Sequence, residues 1–429
     1  MKLWQKESTN TSELIEQFTV GRDREFDLLL APYDVQGSLA HVAMLERVGL
    51  LGNEEYVLIK TELEAILKEI EVGNFSIRTD AEDIHSQIEQ MLTERLGDAG
   101  KKIHSGRSRN DQVAVDIKLY LRAEVQQIKV LVLDLFELLC KLGEEHKHKL
   151  LPGYTHLQLA MPSSFGLWFT AYAESLTDDI TLLMTAYKMT DKNPLGSGAG
   201  YGSSFQLDRT YTTELLGFSS LHYNSIYAQM SRGKTERFVA MALSSIASTL
   251  SRMSMDVCLY MNQNFGFISF PDELTTGSSI MPHKKNPDVF ELIRAKCNRI
   301  QALPNELALL INNLPSGYHR DMQLTKEILF PSIQEILSCL EIMCLMLKNI
   351  IVKDKILEDD RYKYLFTVER VNELVNVGMA FRDAYRQVAL EVENGTFSFS
   401  GTLNHTHEGS IGNLCIEEIK NLMEIAMSK

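Results

Sequence analysis

Positive charge is what this sequence is short of: its 429 residues carry 43 Lys and Arg against 57 Asp and Glu, a formal net charge of −14. That balance argues against a general attraction to nucleic acid or to an anionic membrane surface, so any anionic ligand has to be held by local cations. Cysteine is scarce and unpatterned. Cys140, Cys258, Cys297, Cys339, Cys344 and Cys415 are scattered without CxxC spacing, mostly in apolar stretches. They read as buried free thiols in a reducing compartment rather than as a disulfide framework. No run of about 20 uncharged apolar residues occurs, and the amino terminus lacks a signal-peptide core, so the expectation is a cytoplasmic protein with no membrane partner. Two-residue alternation bounded by Asn-Gly or Asp-Gly turns is missing too, which argues against a large sheet and leaves short strands in the terminal regions.

What the chain does have is apolar periodicity. Leu121, Val125, Ile128, Val132, Leu135, Leu139 and Leu142 recur at three- and four-residue steps, the period of an amphipathic helix. Similar stretches run over 165–189, 238–261, 289–314 and 328–351, several of them longer than twenty residues, which points to an all-α, long-helix bundle. Pro304 should kink or divide its helix. A hydrophobic share of 45% with 23% charged residues belongs to a globular chain, and the length suggests two or three domains. The expected plan is an N-terminal helical domain over 1–108, a central long-helix bundle over 109–352 and a small C-terminal domain over 353–429, the second boundary resting on the basic turn at Lys353 to Lys355. Between the helices lie polar or Gly-rich loops at 100–112, 153–162, 193–204, 271–286 and 315–323, where chemistry on a helical frame tends to sit.

One of these loops is informative on physical grounds alone. In Gly277-Ser278-Ser279-Ile280-Met281-Pro282-His283-Lys284-Lys285-Asn286-Pro287-Asp288, Asn286 suits an N-cap and Pro287 the first helical position. A helix start, two lysines and two hydroxyls then make a place for a carboxylate or phosphate, although a solvated lysine-rich cap fits the same residues. A second loop, Pro152-Gly153-Tyr154-Thr155-His156-Leu157-Gln158, offers a histidine able to act as an acid near neutral pH, or simply a surface histidine.

The twelve-residue string resembles the signature of the fumarase/aspartase superfamily, whose members eliminate a group from a succinyl-type substrate and release fumarate. The resemblance implies that Ser278 removes a proton beside a carboxylate and that Lys284 and Asn286 grip the substrate. A serine hydroxyl is a poor base, so such a site must stabilise its alkoxide, and a carboxylate taking up a second charge must meet preorganised donors. GYTHLQ is similar to the same superfamily, which implies that His156 protonates the leaving nitrogen, Thr155 binds a substrate carboxylate and Glu291 partners the histidine.

A third string, His104-Ser105-Gly106-Arg107-Ser108-Arg109-Asn110-Asp111-Gln112, resembles the GRSRNDQ signature of the argininosuccinate lyase family, a group of carbon–nitrogen lyases that also includes the delta-crystallins. It implies that Ser108, Arg109 and Asn110 hold the succinyl end, that His85 in Asp83-Ile84-His85 touches the substrate, and that Tyr318, Gln323 and Lys326 do so downstream. The family is all-helical, with three domains per subunit, a bundle shared by four subunits and active sites whose loops come from three of them. It splits argininosuccinate into arginine and fumarate in arginine biosynthesis, with no metal or organic cofactor. The alternatives are another fumarate-releasing lyase such as adenylosuccinate lyase, against which GRSRNDQ argues, and a crystallin-like structural protein, against which the intact Ser278, His156, Glu291 and Lys284 argue.

The chain departs from the pattern in places. His283 stands where many argininosuccinate lyases have glutamine, and Gly196–Gly202 differs from the usual Gly-rich form without GxGxxG spacing. Lys234–Arg237 replaces a SDRDF-like run, and Arg22-Asp23 stands where small hydroxyl residues usually touch the substrate. His405, His407 and Glu408 lie close together, but without further convergent ligands they read as a polar loop rather than a metal site.

Overall fold

The periodic stretches become long helices. The computed structural model describes residues 13–428, so most of the amino-terminal stretch read as lacking a leader core lies outside the described residues. The helices α1 (Glu13–Val20), α2 (Asp23–Arg47), α3 (Asn53–Glu71) and α4 (Ile84–Leu96) lead into α5, Arg109–Glu145. At 37 residues, α5 extends about 55 Å. Strands β1 (Leu150–Thr155) and β2 (Gln158–Ser164) follow, then α6 (Phe165–Thr190), α7 (Lys234–Met261), α8 (Asp288–Ile300), α9 (Leu303–Leu310) and α10 (Leu324–Lys348). The chain closes with α11 (Thr367–Asn376), α12 (Phe381–Glu393) and α13 (Ile416–Ser428).

These elements form two compact units. Unit 1 comprises Met1–Ile128, Leu182–Ser245 and Arg299–Ile336, and unit 2 comprises Lys129–Thr181, Ile246–Asn298 and Leu337–Lys429. In unit 1, Val35, Val42 and Leu45 of α2 meet Ile59, Leu63 and Ile66 of α3 and Ile84, Ile88 and Leu92 of α4 in one buried cluster. The three- and four-residue spacing within each helix puts these side chains on one face, and each fully buried Leu or Ile contributes about 1.5–3 kcal/mol. Unit 2 packs Phe165, Trp168 and Phe169 of α6 beneath α7, whose Asp256 accepts hydrogen bonds from Trp168 Nε1 at 3.0 Å and Tyr172 Oη at 2.6 Å. A separate small core holds Val371, Leu374, Ala384, Val388 and Phe397.

Pro304 divides its helix as expected: α8 ends at Ile300, and α9 restarts with the proline in its first turn, where its missing amide costs no helical bond. The strands fall elsewhere than the terminal regions. The loop expected over 153–162 is an antiparallel hairpin, β1 against β2, and two further pairs of two-residue strands complete the sheet content of the described residues. Of the described helices, the stretch Arg320–Lys348 alone is long and apolar enough to cross a membrane. Its Leu329, Ile333, Ile336 and Leu340 are wholly buried within the chain, the environment of a core helix.

Candidate functional site

In unit 1 a cavity of about 190 Å³ gathers residues from three distant stretches: His85, Arg109 and Asn110 with Tyr318, Gln323 and Lys326. Local chemistry places each. Asp83 caps α4 by accepting from the Ser86 amide at 2.7 Å, which sets His85 in the first turn. Asp111 fixes the Arg107–Asn110 turn: its carboxylate accepts from the Ser108 amide at 2.8 Å and from the Gly196 and Gly198 amides at 2.9 Å each. The Gly-rich stretch thus serves as a clamp on a buried aspartate. Gln323 donates to the Thr19 and Val20 carbonyls at 3.1 and 3.2 Å, tying the start of α10 to the chain before α2.

The polar groups of this cavity are largely satisfied by one another. Arg109 spends its fork on Asp83 Oδ2 at 3.1 Å, Ser86 Oγ at 2.7 Å and Glu82 Oε2 at 3.4 Å. Ser108 is not part of the cavity wall; its Oγ accepts from the Asn110 amide at 3.3 Å, at the start of α5. Lys326, buried, bonds Asp27 Oδ1 at 2.5 Å and pairs with Asp23. Burial opposes its charge, but Asp27 and Asp23 outweigh that and raise its pKa. Sequence reasoning missed the acidic wall of Asp23, Asp27, Glu82 and Asp83 as well as Arg232 and Arg320. Arg232 is held by Glu236 at 3.0 Å and by the Met322 carbonyl at 3.0 Å.

His85 has the most constrained environment. Its Nδ1 lies 3.1 Å from Asp34 Oδ1 and 3.5 Å from Asp116 Oδ2, with both carboxylates fully buried. Burial by itself would depress the imidazole pKa, yet the field and hydrogen bond of Asp34, followed by Asp83 and Asp116, lift it to about 9. His85 is therefore an imidazolium at neutral pH, a fixed positive charge in the cavity wall. Asp34 also accepts from Gln112 Nε2 at 2.6 Å, whereas neither oxygen of Asp116 has a hydrogen-bond partner. Burial and the neighbouring Asp34 push Asp116 well above the ordinary carboxylate range. These three residues form the one close His/Asp/Glu/Cys cluster with metal-ligand geometry among the described residues, and here they balance as an ion pair. His405 instead bonds Glu369 at 2.8 Å, and His407 turns to the Glu408 carbonyl.

Unit 2 carries the other predicted residues on exposed loops. Ser278 Oγ accepts from the Ile280 and Met281 amides at 3.4 and 3.1 Å, the kind of donor pair that stabilises developing charge on that oxygen. Lys284 Nζ donates to Asn286 Oδ1 at 2.6 Å, and the Asn286 amide donates to the Thr276 carbonyl at 2.8 Å, closing the loop at its base. The helix begins one position later than read: the Pro287 carbonyl accepts the first bonds, from Phe290 and Glu291, while Asn286 braces the loop instead of capping. Glu291 is exposed in the first turn of α8.

His156 and Leu157 form the two-residue turn of the hairpin, with φ of 55° and 60°. That is the twist the tight hairpin turn demands, at a conformational cost for residues with a side chain. Tyr154 seats the hairpin edge-on against Phe265 at 5.8 Å, and a Cβ at Gly153 would lie 2.8 Å from the Met161 carbonyl, so the bulge there requires glycine. Thr155 and His156 are both exposed at the tip. No hydrogen bond or ion pair among the described residues joins His156 to Glu291 or to Ser278.

A family model described as lyase matches residues 6–302. The argininosuccinate lyase of Bacteroides fragilis is 58% identical over 423 residues, covering 99% of this chain and 94% of that protein, and the argininosuccinate lyase of Thermotoga neapolitana is 42% identical over 388 residues, covering 90% and 97%. Among solved structures, an EDDS lyase in complex with formate aligns with a TM-score of 0.78 at 21% identity, covering 98% of this chain and 90% of that one. A fumarate lyase:delta crystallin from Brucella melitensis aligns with a TM-score of 0.74 at 16% identity, covering 94% and 91%. At those identities the likeness establishes the long-helix fold.

Proposed function

This chain belongs to the argininosuccinate lyase family, and from that premise we propose that it splits argininosuccinate into arginine and fumarate as a step of arginine biosynthesis. The observation that carries the reading is the unit 1 cavity, where six residues drawn from three separate strings converge although up to 241 positions separate them, from His85 to Lys326. In the proposed mechanism Ser278 removes a proton from the succinyl carbon next to the one bearing nitrogen. The electron pair passes into the adjoining carboxylate, where Lys284 and the α8 start meet the added charge. Collapse of that carbanion forms the fumarate double bond and expels the guanidino nitrogen, to which His156, oriented by Glu291, delivers a proton. Ser108, Arg109, Asn110 and Thr155 hold the succinyl end together with Asn286. His85 adds a fixed positive charge, and Tyr318, Gln323 and Lys326 receive the rest of the substrate.

The division of these residues supports a homotetramer in which loops of several subunits complete each site. Leu157 and Ile280, at the tips of the two catalytic loops, are 80% and 82% exposed in the single chain, apolar surface suited to burial by other subunits. We assign the enzyme to the cytoplasm and keep the three-part division at 108 and 352 as its domain plan. The deciding assay supplies argininosuccinate to purified protein without added metal and follows fumarate by its ultraviolet absorbance. Turnover is expected; failure with this substrate together with turnover of adenylosuccinate would overturn the assignment.

A further inference from the structure

The His156 hairpin is held at its base and not at its tip. Thr155 through Leu159 are all exposed, so Tyr154 is the last side chain of β1 with any burial before the turn. The place of the His156 imidazole within the chain is therefore set by what holds Tyr154. The ring of Tyr154 stands edge-on to Phe265 at 5.8 Å, Phe265 meets Phe267 at 5.3 Å, and Phe267, wholly buried, meets Tyr362 at 6.3 Å. Tyr362 is 5% exposed and belongs to the 3-10 segment Asp360–Phe366, which packs against both strands of the hairpin, while the preceding Ile356–Glu358 packs against β1. That stretch of chain is fastened from its other side. Ile351–Val352 pairs antiparallel with Ile268–Ser269, the Lys353 amide donates to the Phe267 carbonyl at 2.9 Å, and Arg361, itself held by Asp359 at 2.7 Å, reaches the Asn264 carbonyl at 3.5 Å.

We propose that Tyr362 is a positioning residue of the reaction: through its contact with Phe267 and its place beside Tyr154 it fixes the base of the hairpin, and with it the His156 imidazole. This rests on the reading of His156 as the acid that protonates the leaving nitrogen. Tyr362 lies beyond residues 6–302, which the family model matches, and outside all three strings that carry the resemblance, so no motif assigns it a part in the chemistry. Two observations support the seat. Burial, and then the neighbouring Tyr362, push the Tyr154 hydroxyl up to about 12 against the pull of Arg361, so both residues of the 3-10 segment face that hydroxyl. Tyr154 thus stays protonated wherever a histidine titrates, and the seat keeps its form across that range. The hairpin, the 264–269 stretch and the 351–366 stretch also all belong to unit 2, so every link of the support lies in one compact unit. An acid displaced by about 1 Å costs on the order of 100-fold in rate, which is why a seat remote from the reacting atoms is felt in turnover.

The test measures argininosuccinate turnover by Tyr362→Leu and Tyr362→Phe in the full-length protein, well below the melting temperature of each variant, alone and on a His156→Gln background. Tyr362→Leu removes the ring and should lower kcat by about 10- to 100-fold with KM within about threefold of wild type, and Tyr362→Phe, which keeps a ring against Phe267, should recover most of that loss. A residue that acts through His156 has nothing left to act on once the imidazole is gone, so Tyr362→Leu should add less than about twofold to the loss in His156→Gln. A residue that only stabilises the fold would lower the melting temperature with kcat unchanged, or lower kcat equally on both backgrounds, and either result overturns the proposal. So does a Phe variant as slow as the Leu variant, because the ring contacts are then not what holds the hairpin. Normal turnover by His156→Gln would instead overturn the role of His156, and hydrogen exchange of the hairpin amides then decides the seat: faster exchange in Tyr362→Leu sustains it, and unchanged exchange overturns it.

Discussion

The cavity of unit 1 and the loops of unit 2 solve opposite problems. In the cavity the charged groups are buried or half-buried and already bonded to one another: His85 to Asp34, Lys326 to Asp27 and Asp23, Arg109 to Asp83. In the loops Lys284, His156 and Glu291 are exposed, and Ser278 is held by two amides of its own turn. The first arrangement ties the proposed ligand recognition to folding stability, because removing a partner of His85 or Lys326 strands a buried charge. The second leaves the proposed chemistry on elements whose loss should scarcely be felt by the fold. Mutations that separate activity from stability can therefore break this contrast.

The largest effect is expected at Ser278. Ser278→Ala should lower turnover of argininosuccinate by about a thousandfold or more, since the base acts on the way to the transition state, while substrate binding and the melting temperature stay close to wild type. A parallel measurement of fumarate release, equilibrium binding and thermal unfolding checks this. Near-normal turnover would remove Ser278 from its role, and a large fall in stability would mean that the loop is no less structural than the cavity.

The matching change in unit 1 is Asp34→Asn, which leaves the fully buried His85 without its main counter-charge. Losing one partner of a buried pair should cost roughly 3–5 kcal/mol of stability. The pH dependence sharpens the point. The folded pKa of His85, about 9, lies above that of an unfolded histidine, so its contribution is fully present below the unfolded value and is lost as pH rises through about 9. Denaturant unfolding of the wild type should show this decline on the alkaline side, and Asp34→Asn should flatten it. A variant with unchanged stability and an unchanged pH profile would show that the His85 charge does not depend on Asp34.

The same contrast explains what could be read from the sequence. The long helices were legible because a 3.6-residue period is local, and the division at Pro304 because a missing amide acts wherever it stands. The strings proposed to carry the catalysis were legible as strings. The acidic wall was not: Asp23 meets Lys326, and Glu82 meets Arg109 and Arg320, only when α2, the chain before α4, the start of α5 and the stretch leading into α10 pack together, and nothing in the spacing of these residues announces it. Nor did the sequence reveal that Arg109, suited to grip a carboxylate, is engaged by Asp83 and Glu82 of its own chain. The hairpin over 150–164 escaped because its turn is His156-Leu157 and carries none of the glycine or asparagine by which such turns are recognised.

That turn yields the smallest effect. Leu157 has a φ of 60° and is 80% exposed, so its side chain gains little from packing within the chain while its backbone sits where a Cβ is penalised. Leu157→Gly removes the penalty, of order 1–2 kcal/mol, but gives glycine more freedom to lose on folding, about 0.5–1 kcal/mol. The net should be a small gain in stability of the isolated chain, within about 1 kcal/mol, readable as a slight rise in the denaturant midpoint. Activity should respond in the other direction. His156 is the neighbouring turn residue, and a more flexible turn holds its imidazole less firmly, so turnover should fall by a few-fold at most. If Leu157→Gly instead destabilises the protein substantially, the residue is buried in the working assembly and the loop tip is an intersubunit contact, which would place unit 2's loops on the same footing as the unit 1 cavity.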